Sequence, residues 1–126
     1  MIKFLFLFLV FPLNNAENFV ETDIEAITKA IVSGNADDLG PYFCELMDVK
    51  LFDTENVCKK EKAVTLVKEF FANNKPSLFE LRSKNATTGG MIMYQGFMQC
   101  GKKTFSVYIF TKMINEKEII HELIFE

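Results

Sequence analysis

One histidine, three cysteines and a few tyrosines and glutamines are the residues of this chain with chemistry to offer. His121 is the only imidazole, and an imidazole is the side chain whose ordinary titration falls near neutral pH. The closing segment reads Ile119-Ile120-His121-Glu122-Leu123-Ile124-Phe125. As a regular strand it puts Ile119, His121, Leu123 and Phe125 on one face and Ile120, Glu122 and Ile124 on the other. His121 is therefore expected to point inward with the apolar residues. Two readings follow. It is a general acid or base, or a ligand contact, in an internal pocket; or it is a core imidazole hydrogen-bonded to a neighbour.

Tyr94, Gln95, Gln99 and Tyr108 add polar groups on long strand-like segments. Tyr94, Gln95 and His121 form the candidate ligand-binding set, since a few polar groups in an apolar cavity are what orients a small ligand. Ring faces and amides on a wide sheet are also ordinary packing. Phe105, Val107 and Ile109 make a clean apolar face, which places Tyr108 on the opposite one. Met91, Met93, Met98 and Phe97 offer an adaptable apolar surface for core, dimer or pocket.

Other chemistry finds no carrier. There is no nucleophile-elbow, zincin or phosphate-cradling glycine motif. Glu80 and Glu122 stand as single acids, expected to be solvated, and no pair of carboxylates has a catalytic spacing. An inward acid near a pocket mouth would be needed for isomerase or dehydratase work, and neither Asp48 nor Asp53 can be placed there. Cys44, Cys58 and Cys100 contain no CxxC and no zinc-finger spacing. Neither metal nor cofactor is expected. Three thiols cannot all pair within one chain, so at most one disulfide forms. Cys44–Cys58 is the pair nearest in sequence, though nothing ensures that their Cβ atoms meet. At least one cysteine reads as a small buried hydrophobe.

The elements that must position these residues are legible from periodicity. Thr22-Asp23-Ile24-Glu25 is a capping box, and Ile24, Ile27, Ala30 and Ile31 recur at helical spacing, so a helix is predicted over 18–33. Gly34 and Asn35 stop it. A short helical piece runs from Asp37 to Phe43. Met47, Val49 and Leu51 alternate with Asp48 and Lys50 as a half-buried strand, and a turn at 53–56 leads to a short return at Val57-Cys58. A helix over 59–73 faces the core with Ala63, Val67, Phe70 and Phe71, ending at Asn73-Asn74-Lys75-Pro76. Its start, Lys59-Lys60-Glu61-Lys62, opposes the helix dipole. Those lysines either hold an anion with the free N–H groups or form a solvated, frayed turn. Strands are predicted over 77–83, 91–100, 104–113 and 118–125, with a loop at 85–90 and turns at 101–103 and 115–117. Helices first and antiparallel strands later make an α+β fold with one curved sheet.

The 126-residue chain opens with Met1-Ile2-Lys3 and an apolar run from Phe4 to Leu13, ending at Asn14-Asn15-Ala16. A basic start, a short apolar stretch and a small residue are the layout of a secretory signal peptide. The run is too short to span a bilayer, and no later stretch is apolar enough to do so. Residues 1–16 are read as the signal and residues 17–126 as one domain, exported to a periplasm or the exterior. That domain carries 13 basic residues against 17 acidic, a net charge of −4, which does not suit nucleic-acid binding.

The pieces "AIVSGNADDLGPYF", "VKLFDTENV", "LVKEFFANNKP", "TFSVYIF" and "IIHELIFE" occur in an order that resembles DUF4783, a family of exported Bacteroidetes proteins within the NTF2-like superfamily. The resemblance covers nearly all of residues 17–126 and rests on structural motifs. It implies a cone, with three helices on the concave side of a curved, mainly antiparallel sheet, and a pocket at the cone mouth. It implies no reaction. The expected function is a non-catalytic module binding a small apolar ligand or a protein partner. The alternatives are a ketosteroid-isomerase-type enzyme using His121 as acid or base, and a homodimeric assembly module.

Overall fold

The structure is a computed structural model that describes residues 20–126. The segment read as a signal peptide lies outside the described residues. Within them, three helices precede or interrupt six strands: α1 (Asp23–Val32), α2 (Ala36–Leu39), β1 (Phe43–Leu51), β2 (Thr54–Lys59), α3 (Lys60–Asn73), β3 (Leu78–Ala86), β4 (Ile92–Cys100), β5 (Lys103–Ile114) and β6 (Lys117–Phe125). One six-stranded sheet has the order β2-β1-β6-β5-β4-β3. Only β1 and β6 are parallel; the other neighbours are antiparallel. This is the α+β architecture the element order predicts. No helix among the described residues is long and apolar enough to cross a membrane.

Local chemistry accounts for most boundaries. Thr22 caps α1 with the full reciprocal box: its hydroxyl accepts from Glu25 N, and its own N–H donates to Glu25 Oε1 at 2.9 Å. The helix begins at Asp23 rather than at 18, because the box defines the start. Asn35 caps α2 by accepting from Asp38 N, and a 3-10 turn over Gly40–Tyr42 carries Pro41 in its first turn. The β1–β2 hairpin is tighter than expected. Leu51 pairs with Thr54, so the turn is Phe52-Asp53 and the return strand starts at Thr54. Strand β3 runs three residues beyond the predicted end, because Lys84, Asn85 and Ala86 still pair with Tyr94, Met93 and Ile92.

Helices cover one face. Ile27, Ala30 and Ile31 of α1, Leu39 of α2, and Ala63, Val67 and Phe71 of α3 are buried against Met47, Val49, Tyr94, Met98, Val107, Ile109, Leu123 and Phe125 of the sheet. The Ile24-Ile27-Ile31 stripe and the Ala63-Val67-Phe71 face are the helical periodicities of the sequence, turned inward as expected. Among the described residues, no helix covers the other face of the sheet.

The sheet bends at three irregularities. Register shifts occur in β3 between Leu81 and Ser83, in the β5–β6 pairing between Phe110 and Thr111, and in the β1–β6 pairing between Phe43 and Asp48. Such bulges insert unpaired residues and increase local twist. At the first, β3 crosses so close to β4 that a Cβ on Gly96 would lie 2.2 Å from the Glu80 carbonyl oxygen. Backbone cannot yield there as a flexible side chain does, so position 96 admits only glycine. Gly96→Ala should cost about 3 kcal/mol or more; urea unfolding followed by circular dichroism checks it, and an unchanged midpoint would contradict the close crossing.

Candidate functional site

The described residues form an aromatic cleft where the end of α3 meets the ends of β1, β5 and β6. Its apolar lining is Leu51, Phe52, Phe70 and Phe105, its polar rim Asn74, Lys103, Thr104 and Glu126, and its volume about 470 Å³. That volume falls in the range of small-molecule sites.

Each wall has a local cause. Phe70 and Phe71 are consecutive near the C-terminus of α3, about 100° apart around the helix. Phe71 goes into the core, its ring edge-on to Phe125 at 5.8 Å between centroids. Phe70 is left at the margin. It stands edge-on to Phe105 at 5.2 Å and tilted against Phe125 at 5.0 Å, both favourable aromatic geometries. Asn74 ends the helix: its backbone N–H and its side-chain amide both donate to the Phe70 carbonyl, at 2.9 and 3.0 Å. Glu126 is held by an ion pair with Lys50 at 3.3 Å.

Phe52 forms the outer wall and is the least ordinary residue of the site. It is 62% exposed and has φ of 61°, at the first position of a two-residue hairpin where Gly, Asn or Asp is the usual occupant. A bulky L-residue in the left-handed region is strained by roughly 1–2 kcal/mol. Its N–H donates to the Phe125 carbonyl at 2.6 Å, which ties the hairpin to the end of β6. An exposed aromatic kept in a strained turn beside a cleft is a functional signal. Sequence reasoning missed it because nothing local distinguishes Phe52 from a strand residue.

The sequence-predicted set does not assemble. Tyr94 is 4% exposed on the helix-covered face, and its hydroxyl donates to Glu118 Oε2 at 2.5 Å. Burial first, and then the bond to Glu118, hold that phenol well above its usual range. Thr111 Oγ1 donates to the same oxygen at 2.7 Å, and the Glu118 N–H donates to Asp23 Oδ2 at 2.8 Å. This buried network fastens the start of α1 to the sheet, so Tyr94 is a structural tie. Gln95 follows Tyr94 and so faces the other way; its amide donates to the Gly96 carbonyl at 3.1 Å.

His121 corrects the expectation of an inward imidazole. Phe110 pairs with Glu122 but Thr111 pairs with Ile120, leaving His121 as the extra residue of a bulge. The alternation breaks there: Glu118, Ile120, Leu123 and Phe125 are buried, while Ile119, His121, Glu122 and Ile124 are half-buried. His121 therefore leaves the Leu123–Phe125 face. Its Nε2 is buried without a hydrogen-bond partner among the described residues, and so is Asp48 Oδ1. None of Tyr94, Gln95 and His121 lines the aromatic cleft. Met98 is buried with the core, whereas Met93 and Phe97 are half-buried on the opposite face. Tyr108 lies on that outer face, as expected.

The acids also differ from the expectation. Asp48, Glu55 and Glu122, from three neighbouring strands, bring carboxylate oxygens within 4.8 Å of one another. These are hard-cation ligand types, but three oxygens fall well short of the six to eight that calcium takes. Glu122 is thus neither single nor freely solvated. Burial, then the charges of Asp48 and Glu55, push its carboxyl above the usual range. The cysteines Cys44, Cys58 and Cys100 are all free. Met47, not Cys44, stands opposite Cys58, so the nearest pair in sequence is out of register. Burial pushes the Cys58 and Cys100 thiols up, away from the reactive thiolate.

A raised carboxyl pKa favours the protonated form in the fold, so its contribution to stability is present at low pH and lost as pH rises through the folded value. Glu122→Gln should therefore raise the melting temperature by roughly 2–5 °C at pH 7 and leave it unchanged near pH 4. Thermal unfolding at both pH values checks this; an equal effect at both would remove the charge explanation.

Comparison with known proteins agrees with this architecture. The family model described as "Domain of unknown function (DUF4783)" matches residues 24–126. A DUF4783 family protein from Bacteroides uniformis is 20% identical, with a TM-score of 0.74 over 81% of this chain and 94% of that one. One from Bacteroides fragilis is 18% identical, with a TM-score of 0.73 over 79% of this chain and 93% of that one. An NTF-2 like protein of unknown function from Silicibacter pomeroyi is 11% identical, with a TM-score of 0.57 over 82% of this chain and 87% of that one. No curated protein matches.

Proposed function

The chain belongs to the DUF4783 family and has the NTF2-like fold, and from that premise we propose that it is an exported, non-catalytic module that binds a small apolar ligand in the Phe52–Phe70–Phe105 cleft. The observation that carries this reading is Phe52: an exposed aromatic in a strained hairpin, facing a cleft with two further aromatic walls. Strain of this kind persists where the surroundings hold it for a purpose. The isomerase-type alternative draws no support from His121, which sits in a bulge apart from the cleft lining.

Phe52→Gly separates binding from folding. Glycine accepts φ of 61° without strain, so the melting temperature should hold or rise by a few degrees. Affinity for an apolar ligand should fall about tenfold or more with loss of the ring. Native mass spectrometry of protein exported to a periplasm and purified without detergent gives the first readout. A stoichiometric extra mass, absent from the variant, is expected. A bare mass, with no thermal stabilisation by any apolar compound, would end the reading.

A second reading, homodimerisation, is favoured by the sheet face that no helix covers among the described residues. Leu46 and Val57 are 60% and 64% exposed beside Asp48, and Arg82 lies 4.5 Å over the Phe97 ring at the other side of the sheet. A two-fold axis along the strands lays the acidic side of one copy over the Arg82 side of its partner, where Arg82 is shared with Glu80 at 3.4 Å. Sedimentation equilibrium should show a concentration-dependent dimer weakened by Val57→Asp; a strict monomer at millimolar concentration would exclude it.

A further inference from the structure

The aromatic cleft opens beside a second groove, and the two share Asn74 and Lys103. The second groove, about 360 Å³, is lined by Asn73, Lys75, Cys100, Gly101 and Lys102 besides the shared pair. Three lysines therefore stand at one end of a chain that is acidic as a whole. They converge from distant parts of the sequence. Gly101, with φ of 62°, turns the β4–β5 hairpin, in which Cys100 pairs with Lys103, and this puts Lys102 and Lys103 at its tip. The segment after α3 is pinned alongside: the Ser77 N–H and hydroxyl both donate to the Gln99 carbonyl, at 2.8 and 3.2 Å. That bond carries Lys75 to the same place.

None of the three takes part in an ion pair among the described residues; those involve Lys29, Lys50, Lys60, Lys68 and Arg82. The second groove contains no acid. The first contains Glu126, whose side chain is paired with Lys50 and whose main-chain carboxylate, a further negative charge, accepts from the Ser106 N–H at 2.7 Å. The C-terminus of α3 adds a negative pole of roughly half an elementary charge, and with the Glu126 main-chain carboxylate this still falls short of three full positive charges. A net positive surplus remains at the mouth of an aromatic cleft.

We propose that the ligand of this cleft is an anionic amphiphile: a single-chain molecule whose apolar body lies against Phe52, Phe70 and Phe105 and whose carboxylate, or comparable anionic head, meets Lys75, Lys102 and Lys103. The assignment rests on the cleft reading above and adds the chemistry of the head group. The apolar walls set affinity by excluded area, and the lysines select among heads by charge.

The test titrates the full protein with three probes of equal chain length, decanoate, decanol and decyltrimethylammonium, at pH 7.5 and low salt, by calorimetry or native mass spectrometry. Decanoate should bind about tenfold more tightly than decanol and tighter still than the cation. The advantage should shrink on raising salt. Replacing the lysines together, K75Q/K102Q/K103Q, should bring decanoate down to the level of decanol, with the melting temperature showing that the fold survives. Phe52→Gly should weaken decanoate and decanol alike. Equal binding of decanoate and decanol to the parent protein would overturn the head-group assignment while leaving the apolar cleft standing. No binding of any probe would overturn both. Co-sedimentation with anionic phospholipid vesicles in the absence of decanoate binding would overturn the single-chain ligand in favour of a membrane surface.

Discussion

A single sheet has to curve far enough to wrap three helices on one face, and the rest of the molecule follows from how that curvature is made. A flat six-stranded sheet could not enclose α1 and α3 with the rings of Phe43 and Phe125 fully buried. The bend is produced by extra residues in β1, β3 and β6 and by the absence of a side chain at Gly96. Each device has a consequence elsewhere. The β6 bulge turns His121 off the core face and leaves Glu122 beside Asp48. The β3 bulge sets Arg82 against Phe97. At the far end of the curve, β1 and β6 finish and β5 begins under the last turn of α3, and the cleft lies there.

The aromatic residues at that end show how packing and opening coexist. Phe70, Phe71, Phe105 and Phe125 form one cluster of edge-on and tilted rings. Phe125 and Phe71 complete the core. Phe105 is also a core residue, 6% exposed, whereas Phe70 is half-buried and keeps part of its surface toward the cleft. The core ends in a wall of ring faces and edges, with Phe52 opposite it across the cleft. Affinity for an apolar body and stability of the core thus draw on the same rings, whereas the Phe52 ring is free of the core.

Polar groups divide into two sorts. On the covered face, Glu118 Oε2 accepts from both Tyr94 and Thr111 while the Glu118 N–H donates to Asp23, so one oxygen of a buried acid holds two hydroxyls. This network joins the first residue of α1 to three strands and fixes where the helix enters. On the open face, Asp48, Glu55 and Glu122 bring like charges together, and burial, then those charges, push the Glu122 carboxyl above its usual range. The first arrangement stabilises; the second costs stability as Glu122 loses its proton.

Much of the scaffold was legible in the sequence. The Thr22–Glu25 capping box, the Ile27-Ile31 stripe, the Ala63-Val67-Phe71 face and the Met47-Val49 and Val107-Ile109 alternations are set by residue type at fixed local spacing, and they determined the α+β class and the covered face. The order of the motifs also carried the family. The candidate site is legible only in fragments: spacing predicts Phe70 as core-facing, whereas Tyr94, Gln95 and His121, alike in polarity, are split between two faces. Alternation cannot reveal a bulge, because one inserted residue changes every following side of the strand without changing composition. Nor can local spacing show that Phe52, Phe70 and Phe105, or Lys75, Lys102 and Lys103, meet. Those groups are separated by long stretches of chain and are brought together by strand pairing and helix docking. The elements and the buried faces follow from neighbours within a few residues, so residue order alone is enough to read them. Which side chains share a site depends on the curvature of the whole sheet, and that emerges only when the strands pair and the helices dock.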